Sequence, residues 1–425
     1  MTGEAEPSPA NSLEVRNIGC LATPLGTEAR RGAAQGEIFR LRDAAIRAEG
    51  GRLAFVGSER DYAREFAGRS ADVRLDAAGR AVIPGLVDAH THPVWLGNRG
   101  PEIGQRLSGV SYAAIAAAGG GIQATVRATR EGSDEQLRDA ARERLAAMLA
   151  HGTTTLEAKS GYGLTERDEV RSLQILRSLA TPELPRLVPT LLAAHEIPLE
   201  FRENRGEWVR IIAEEIVPRV AREGLARFCD VFCEEGVFTV DESRRILLAA
   251  REAGMGLRVH ADELARSGGA MLAAELRAAS ADHLLFIEEA EIAALAKSGT
   301  VAVILPGTAW WMRSRRAPAR ALIAAGVPVA VASDSNPGTC FTESLPAVAA
   351  HACLDSDLSV EETLTGMTLN AAASLGLATE IGSLETGKSA DLLILGAPDD
   401  RHLIYHWGIN LVAAVVSRGR LVVGG

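Results

Sequence analysis

The chain has 425 residues, 47% of them hydrophobic and 24% charged, which suits a globular fold with one large domain and a smaller one beside it. A formal net charge of −10 without any Lys/Arg run argues against nucleic-acid binding, where clustered cations meet phosphates. No apolar window approaches the length needed to cross a bilayer, so no membrane partner is expected.

In chain order, "MTGEAEPSPANS" (1–12) is acidic and Pro-containing, and reads as a disordered lead-in rather than a signal or transit peptide. From 13 to 83 the text is strand-like and turn-rich, as in "SLEVRNIGCL" and "DAAIRAEGGRLAFVGS". The stretch 380–425 repeats that style in "IGSLETGKSADLLILG" and "LVAAVVSRGRLVVGG", so both ends predict one composite β-sandwich domain. Between them, 84–379 alternates short β-branched runs with amphipathic helices. Strands are predicted at 81–90, 153–159, 186–195, 228–234, 257–260, 281–286, 301–306 and 327–334. Capping boxes at Ser133/Gln136, Thr239/Glu242 and Ser359/Glu362 mark helix starts between or after them. About eight β-then-α units favour a closed (β/α)8 TIM-like barrel within an α/β fold. The five cysteines have no regular spacing and read as free thiols in a cytoplasmic protein; Cys229 and Cys233 read as two buried small residues.

In such a barrel the working residues stand at the C-terminal ends of the strands. "IPGLVDAHTHPVW" puts His90 and His92 two apart, on one face of a run interrupted by a Pro-Gly step. His195 ends the third strand, His260 the fifth, His283 lies on the sixth and Asp334 ends the eighth, so five of nine histidines gather at one rim. His90, His92 and His260 as nitrogen donors and Asp334 as an oxygen donor, with one position open, suit a single catalytic Zn2+ or iron ion per subunit. By itself Asp334 would read as a turn residue before Asn336-Pro337-Gly338. A second metal would need a bridging group, and "RFCDVFCEEG" on the fourth strand has no lysine; Lys159, ending the second strand, reads as charge balance. Glu263 and His283 are the proton-transfer candidates, although Glu263 also reads as a helix-start carboxylate and His283 as a donor holding a ligand. "AGGGI" follows no strand and lacks a Lys-Ser/Thr ending, which argues for an active-site loop rather than a phosphate loop.

"PGLVDAHTH", a later histidine, "ADH" and a late "SD" resemble the amidohydrolase superfamily. More narrowly, "HTHPVWLGNR", "SGVSYAAIAAAGGGI", "EAKSGYGL", "LLAAHEIP", "FCDVFCEEGVF", "HADE", "SADHL", "ILPGT" and "DSNPGT" resemble the imidazolonepropionase family, in order from about residue 15 to the end. The resemblance implies a metal-dependent barrel with a β-sandwich from both termini, and His90, His92, His260 and Asp334 as metal ligands. It places Arg99, Tyr162, His195, Glu263, Asn336, Gly338 and Thr339 around the substrate, and the expected catalytic residues are Glu263 and His283 with Asp334 as their partner. The implied reaction is hydrolysis of the ring amide of 4-imidazolone-5-propanoate to N-formimino-L-glutamate in histidine degradation, by a metal-activated water in a homodimer. The anionic propionate tail suits the planar fork of Arg99. The alternative is another mononuclear amidohydrolase, a deaminase or cyclic amidase for a related heterocycle, which would have no use for Arg99. Ile103 after Glu102, and Ser335 where Phe is common, depart from the family pattern and bear on pocket shape.

Overall fold

The computed structural model describes residues 12–110, 114–115 and 118–424, so the lead-in expected over 1–12 lies outside the described residues except for Ser12. The chain opens with β1 (Ser12–Thr23), β2 (Phe39–Glu49), β3 (Arg52–Ser58), β4 (Val73–Asp76) and β5 (Ala81–Pro84). Then come β6 (Leu86–Asp88), β7 (Thr153–Lys159), β8 (Arg186–Ala194), β9 (Phe228–Cys233), β10 (Gly256–Ala261), β11 (Ser280–His283), β12 (Val301–Ile304) and β13 (Val329–Val331). The last strands are β14 (Leu392–Leu395), β15 (Val412–Ser417) and β16 (Arg420–Val423).

The terminal strands form one sheet in the order β16-β15-β14-β5-β1-β2-β3, with β4 also paired to β1. The C-terminal end joins through β14, which runs antiparallel to β5 with Leu393 opposite Ile83. Alternate side chains of this sheet, among them Leu13, Val15, Ile46, Leu53, Val82, Leu392 and Val416, make its own buried apolar cluster, as the period-2 pattern requires.

β6 to β13 pair in sequence as a parallel sheet. Short helices lie between them. The helix Asp134–Ala150 starts on the Ser133/Gln136 capping box and buries Leu137, Ala141, Leu145 and Met148. The Thr239 and Ser359 boxes likewise open helices. The barrel closes just beyond its last and first strands: Asp334 N donates to His90 O at 3.0 Å and His92 N to Ser335 O at 2.9 Å. Closure of the fold therefore brings the first and last rim residues side by side.

The strand expected over 81–90 is not one strand. Ala81–Pro84 pairs within the terminal sheet and Leu86–Asp88 begins the barrel, with the change at Gly85. A Cβ on Gly85 would meet Thr154 Oγ1 at 2.3 Å, so only glycine lets the chain pass so close to β7. Cys229 and Cys233 are buried, and all five cysteines are free.

Candidate metal centre and active site

Beyond β6, His90 and His92 turn their rings to a common point. Their Nε2 atoms are 3.4 Å apart, and Asp334 Oδ1 lies 3.5 Å from the first and 3.4 Å from the second. Donors held at 2.0–2.2 Å on a tetrahedral ion are spaced by about 3.3–3.6 Å, so this triad has the separation a small transition-metal ion demands. His260 joins from β10, its ring centroid 4.4 Å from that of His90. His260, His283 and His90 form a second group with ligand atoms within 4.8 Å of one another. Of the four residues expected to hold a metal, His90, His92 and Asp334 fall in one group and His260 in the other, with His90 common to both and His283 beside His260. Burial pushes His92, His195 and His283 down to about 3 and His260 to about 4, and His90 well below its usual value. Neutral imidazoles with free lone pairs are the form that binds a metal. Thr308 Oγ1 donates to Asp334 Oδ2 at 2.7 Å, which leaves Oδ1 aimed at the two histidines.

The other ring nitrogens are held from below. His90 Nδ1 faces Asp282 Oδ2 at 2.7 Å and His260 Nδ1 faces Asp230 Oδ2 at 2.9 Å. Both carboxylates belong to a fully buried charge cluster with Glu157, Lys159 and Arg258. Burial raises Asp282 to about 6; it would raise Asp230 too, but His260 and Lys159 hold that carboxyl well below the usual range. Of this cluster only Lys159 was singled out in the sequence, as charge balance, and its ion pairs to Glu157 and Asp230 are of that kind. The overlooked signal was alternation: Glu157 with Lys159, and Arg258 with His260, are charged or polar residues two apart on fully or almost fully buried strands.

Glu263 Oε2 lies 3.5 Å from His283 Nε2. Burial, then the nearby Asp334 and Glu234, hold its carboxyl well above the ordinary range. The loop carrying Glu263 is shaped by Glu234, whose carboxylate accepts from Glu263 N and Leu264 N at 2.8 Å each and from Ser267 Oγ. Asp262 accepts from Ser267 N, Gly268 N and Ala270 N at 2.7–2.8 Å. Sequence reasoning missed both carboxylates, although Glu234 lies inside the quoted "FCDVFCEEGVF".

On the opposite side, Arg99 donates from Nε and Nη2 to Glu102 Oε2 at 3.1 and 2.9 Å. The other Glu102 oxygen accepts from Gly121 N at 2.9 Å, which ties the glycine run to this arginine. A Cβ on Gly338 would meet Arg99 Nη1 at 2.3 Å. Asn336 supplies the turn that presents Gly338: its Oδ1 accepts from Gly338 N and Thr339 N at 2.8 Å each, and its Nδ2 donates to Asp334 O and Thr339 Oγ1. The Asn336 side chain is therefore engaged in loop geometry. The His195 ring stacks on His92 with centroids 5.2 Å apart, and Tyr162 lies 5.3 Å from His195. His195 Nδ1 donates to Gly161 O at 2.9 Å. The buried Glu169 carboxylate accepts from Gly161 N, Gly163 N and Leu164 N and so fixes the loop around Tyr162. Beside Arg99 and Gly338 opens a cavity of about 370 Å³, walled by Trp95, Trp310, Trp311 and Phe341.

A model of the amidohydrolase family matches residues 81–422. An imidazolonepropionase of Symbiobacterium thermophilum is 48% identical over 397 residues, 93% of each chain. One of Porphyromonas gingivalis is 45% identical over 97% of each chain, and one of Geobacillus kaustophilus is 46% identical over 88% of this chain and 89% of its own. Among solved structures, a zinc-bound adenosine deaminase from Xanthomonas campestris superposes with a TM-score of 0.70 at 21% identity, over 96% of this chain and 92% of that one. Guanine deaminase of E. coli gives 0.69 at 16% identity, over 97% and 99%. At such identities these two structures show the shared fold alone. By the family match and the extent of identity to its relatives, the chain belongs to the amidohydrolase family and, within it, to the imidazolonepropionases.

Proposed function

We propose that the chain hydrolyses the ring amide of 4-imidazolone-5-propanoate to N-formimino-L-glutamate, a step of histidine degradation, with one zinc or iron ion held by His90, His92, His260 and Asp334. The observation that carries this reading is 45–48% identity to imidazolonepropionases over 93–97% of the chain. When bound, the ion supplies Lewis acidity, which takes the pKa of water from 15.7 to about 7.

The chain's own residues do the rest. Arg99 pairs its guanidinium with the propionate carboxylate, and Gly338 leaves room for it to do so. Tyr162 and His195 flank the flat polar ring, while Asn336 and Thr339 hold the turn opposite. Glu263 and His283, 3.5 Å apart, take the proton lost by the attacking water and deliver one to the ring nitrogen as the C–N bond breaks. Such transfer is worth about 10²–10⁴-fold. Burial and the nearby Asp334 and Glu234 raise the Glu263 carboxyl, which favours its protonated, proton-donating form, and burial keeps His283 neutral. Asp334 is the third group able to take part, with Oδ2 anchored by Thr308.

The same reading places the enzyme in the cytoplasm as a homodimer. Five free cysteines support the first, and the exposed Tyr405, Trp407 and Ile409 offer a face a second copy would cover. Metal analysis with a spectrophotometric assay of imidazolone loss tests the function. Turnover is expected from zinc- or iron-loaded protein. A loaded preparation without turnover refutes the reading, and turnover only of a tail-less heterocycle selects the deaminase or cyclic amidase alternative.

A further inference from the structure

The proton transfers and substrate contacts above leave five charged side chains beneath the histidines without a task. Glu157, Lys159, Asp230, Arg258 and Asp282 are all fully buried. Charges in such a place are stable only in well-paired groups, so their pairing pattern is informative. Lys159 Nζ lies 2.7 Å from Glu157 Oε1, 2.6 Å from Asp230 Oδ2 and 3.9 Å from Asp282 Oδ2. Two of those oxygens are the ones that face the imidazoles: Asp230 Oδ2 meets His260 Nδ1 at 2.9 Å, and Asp282 Oδ2 meets His90 Nδ1 at 2.7 Å. Arg258 covers only part of the same ground. It reaches Glu157 at 3.1 Å and Asp282 at 3.3 Å, and spends further donors on Ser374 O and Ala89 O. Among the described residues, Lys159 is the one lysine or arginine paired with Asp230.

We infer that Lys159 is a positioning residue for the metal centre: its ammonium holds the Asp230 carboxylate against His260, and helps hold Asp282 against His90, which fixes the ring orientation and tautomer of both imidazoles. Asp282 Oδ2 accepts from His90 Nδ1–H, and Asp230 Oδ2 stands 2.9 Å from His260 Nδ1, which directs Nε2 of each ring to the metal as the lone-pair donor. Without the ammonium, Asp230 keeps no lysine or arginine ion pair among the described residues and turns from His260, whereas Asp282 keeps its pair with Arg258. The effect of losing Lys159 therefore falls mainly on the His260 side. Three carboxylates against two cations leave one negative charge, and Asp334 adds a second at the rim, a balance that complements a divalent ion.

The inference rests on the metal reading proposed above, and its test reads metal binding rather than turnover. The full-length chain is stripped of metal, and Zn2+ affinity is measured by competition with a chromophoric chelator. The visible absorption of the Co2+-loaded protein reports ligand geometry. Lys159→Met is expected to weaken Zn2+ binding by about 10–100-fold and to alter the cobalt spectrum. Asp230→Asn should do the same. The double variant should lose no more than the worse single one, because Lys159 acts through Asp230. A folded Lys159→Met protein with parental zinc affinity and cobalt spectrum overturns the inference, and so do losses that simply add. Should Lys159→Met not fold, the near-isosteric Asp230→Asn decides alone: weakened zinc binding supports the inference, and unchanged binding overturns it. A parental chain that binds neither ion refutes the metal reading itself and this inference with it.

Discussion

At Gly338 a single missing carbon atom decides whether Arg99 can lie where it does. A Cβ there would stand 2.3 Å from Arg99 Nη1, so Gly338→Ala must displace the guanidinium. A hydrogen bond to a charged group is worth roughly 1.5–3 kcal/mol, which corresponds to about a 10–100-fold change. Gly338→Ala is accordingly expected to raise KM for the imidazolone about 10-fold or more while kcat changes little, as steady-state kinetics will show; an unaltered KM would count against a role for Arg99 in holding the tail. Neither residue could be picked out by spacing or periodicity. Arg99 and Gly338 are far apart in the chain, and only the family resemblance drew attention to them. The rim histidines are different, because strand ends are legible from local pattern and a histidine there is conspicuous.

Two loops show how an element is tuned by one buried carboxylate. Glu234, just past β9, gathers the amides of residues 263–265 and so sets where Glu263 stands. Glu234→Gln replaces one acceptor oxygen with a donor that faces those amides. A fall in kcat of about 10-fold or more is expected, with KM nearly unchanged, since proton transfer is sensitive to placement; kinetics that match the parent would separate this loop from the chemistry. Glu169 does the like for residues 161–164. Burial raises its carboxyl above the usual 4.5 despite three amide donors. A pKa higher in the folded than in the unfolded state gives a stability contribution fully present below about pH 4.5 and lost as pH rises through the folded value. Glu169→Gln should therefore destabilise at pH 5, by about 1–3 kcal/mol for buried donors left unpaired, and should cost less at pH 8. Urea unfolding at both values checks the sign, and a cost that grows with pH would contradict it.

For the molecule as a whole, the closing contact of the barrel and the metal triad are one structure. Asp334 N bonds to His90 O while its side chain faces His90 and His92. A metal bound there ties the first strand to the last, so it should stabilise the native state as any native-state ligand does. At a free concentration of 1,000 times Kd the gain is about 4 kcal/mol, or roughly 4–5 °C in Tm for a chain of this size. Calorimetry of stripped and zinc-loaded protein is expected to show that rise. No rise at saturating zinc would mean that the triad does not bind it.

Local pattern was enough to reveal the alternation of strands and helices, the three capping boxes and the row of histidines at strand ends, because each depends on neighbours within a few residues. The Pro-Gly interruption was legible but the change of sheet at Gly85 was not: Pro84 and Leu86 are both apolar and buried, and which sheet each joins depends on partners at Leu392 and Thr153. The support beneath the histidines was hidden for the same reason. Asp230, Arg258 and Asp282 lie on neighbouring strands but apart in sequence, and a buried charge declares its purpose only through the partner it meets across the barrel. Sequence therefore determined which side chains could do the chemistry, and tertiary pairing alone decided how they are held, since electrostatic partnership is a matter of distance in space.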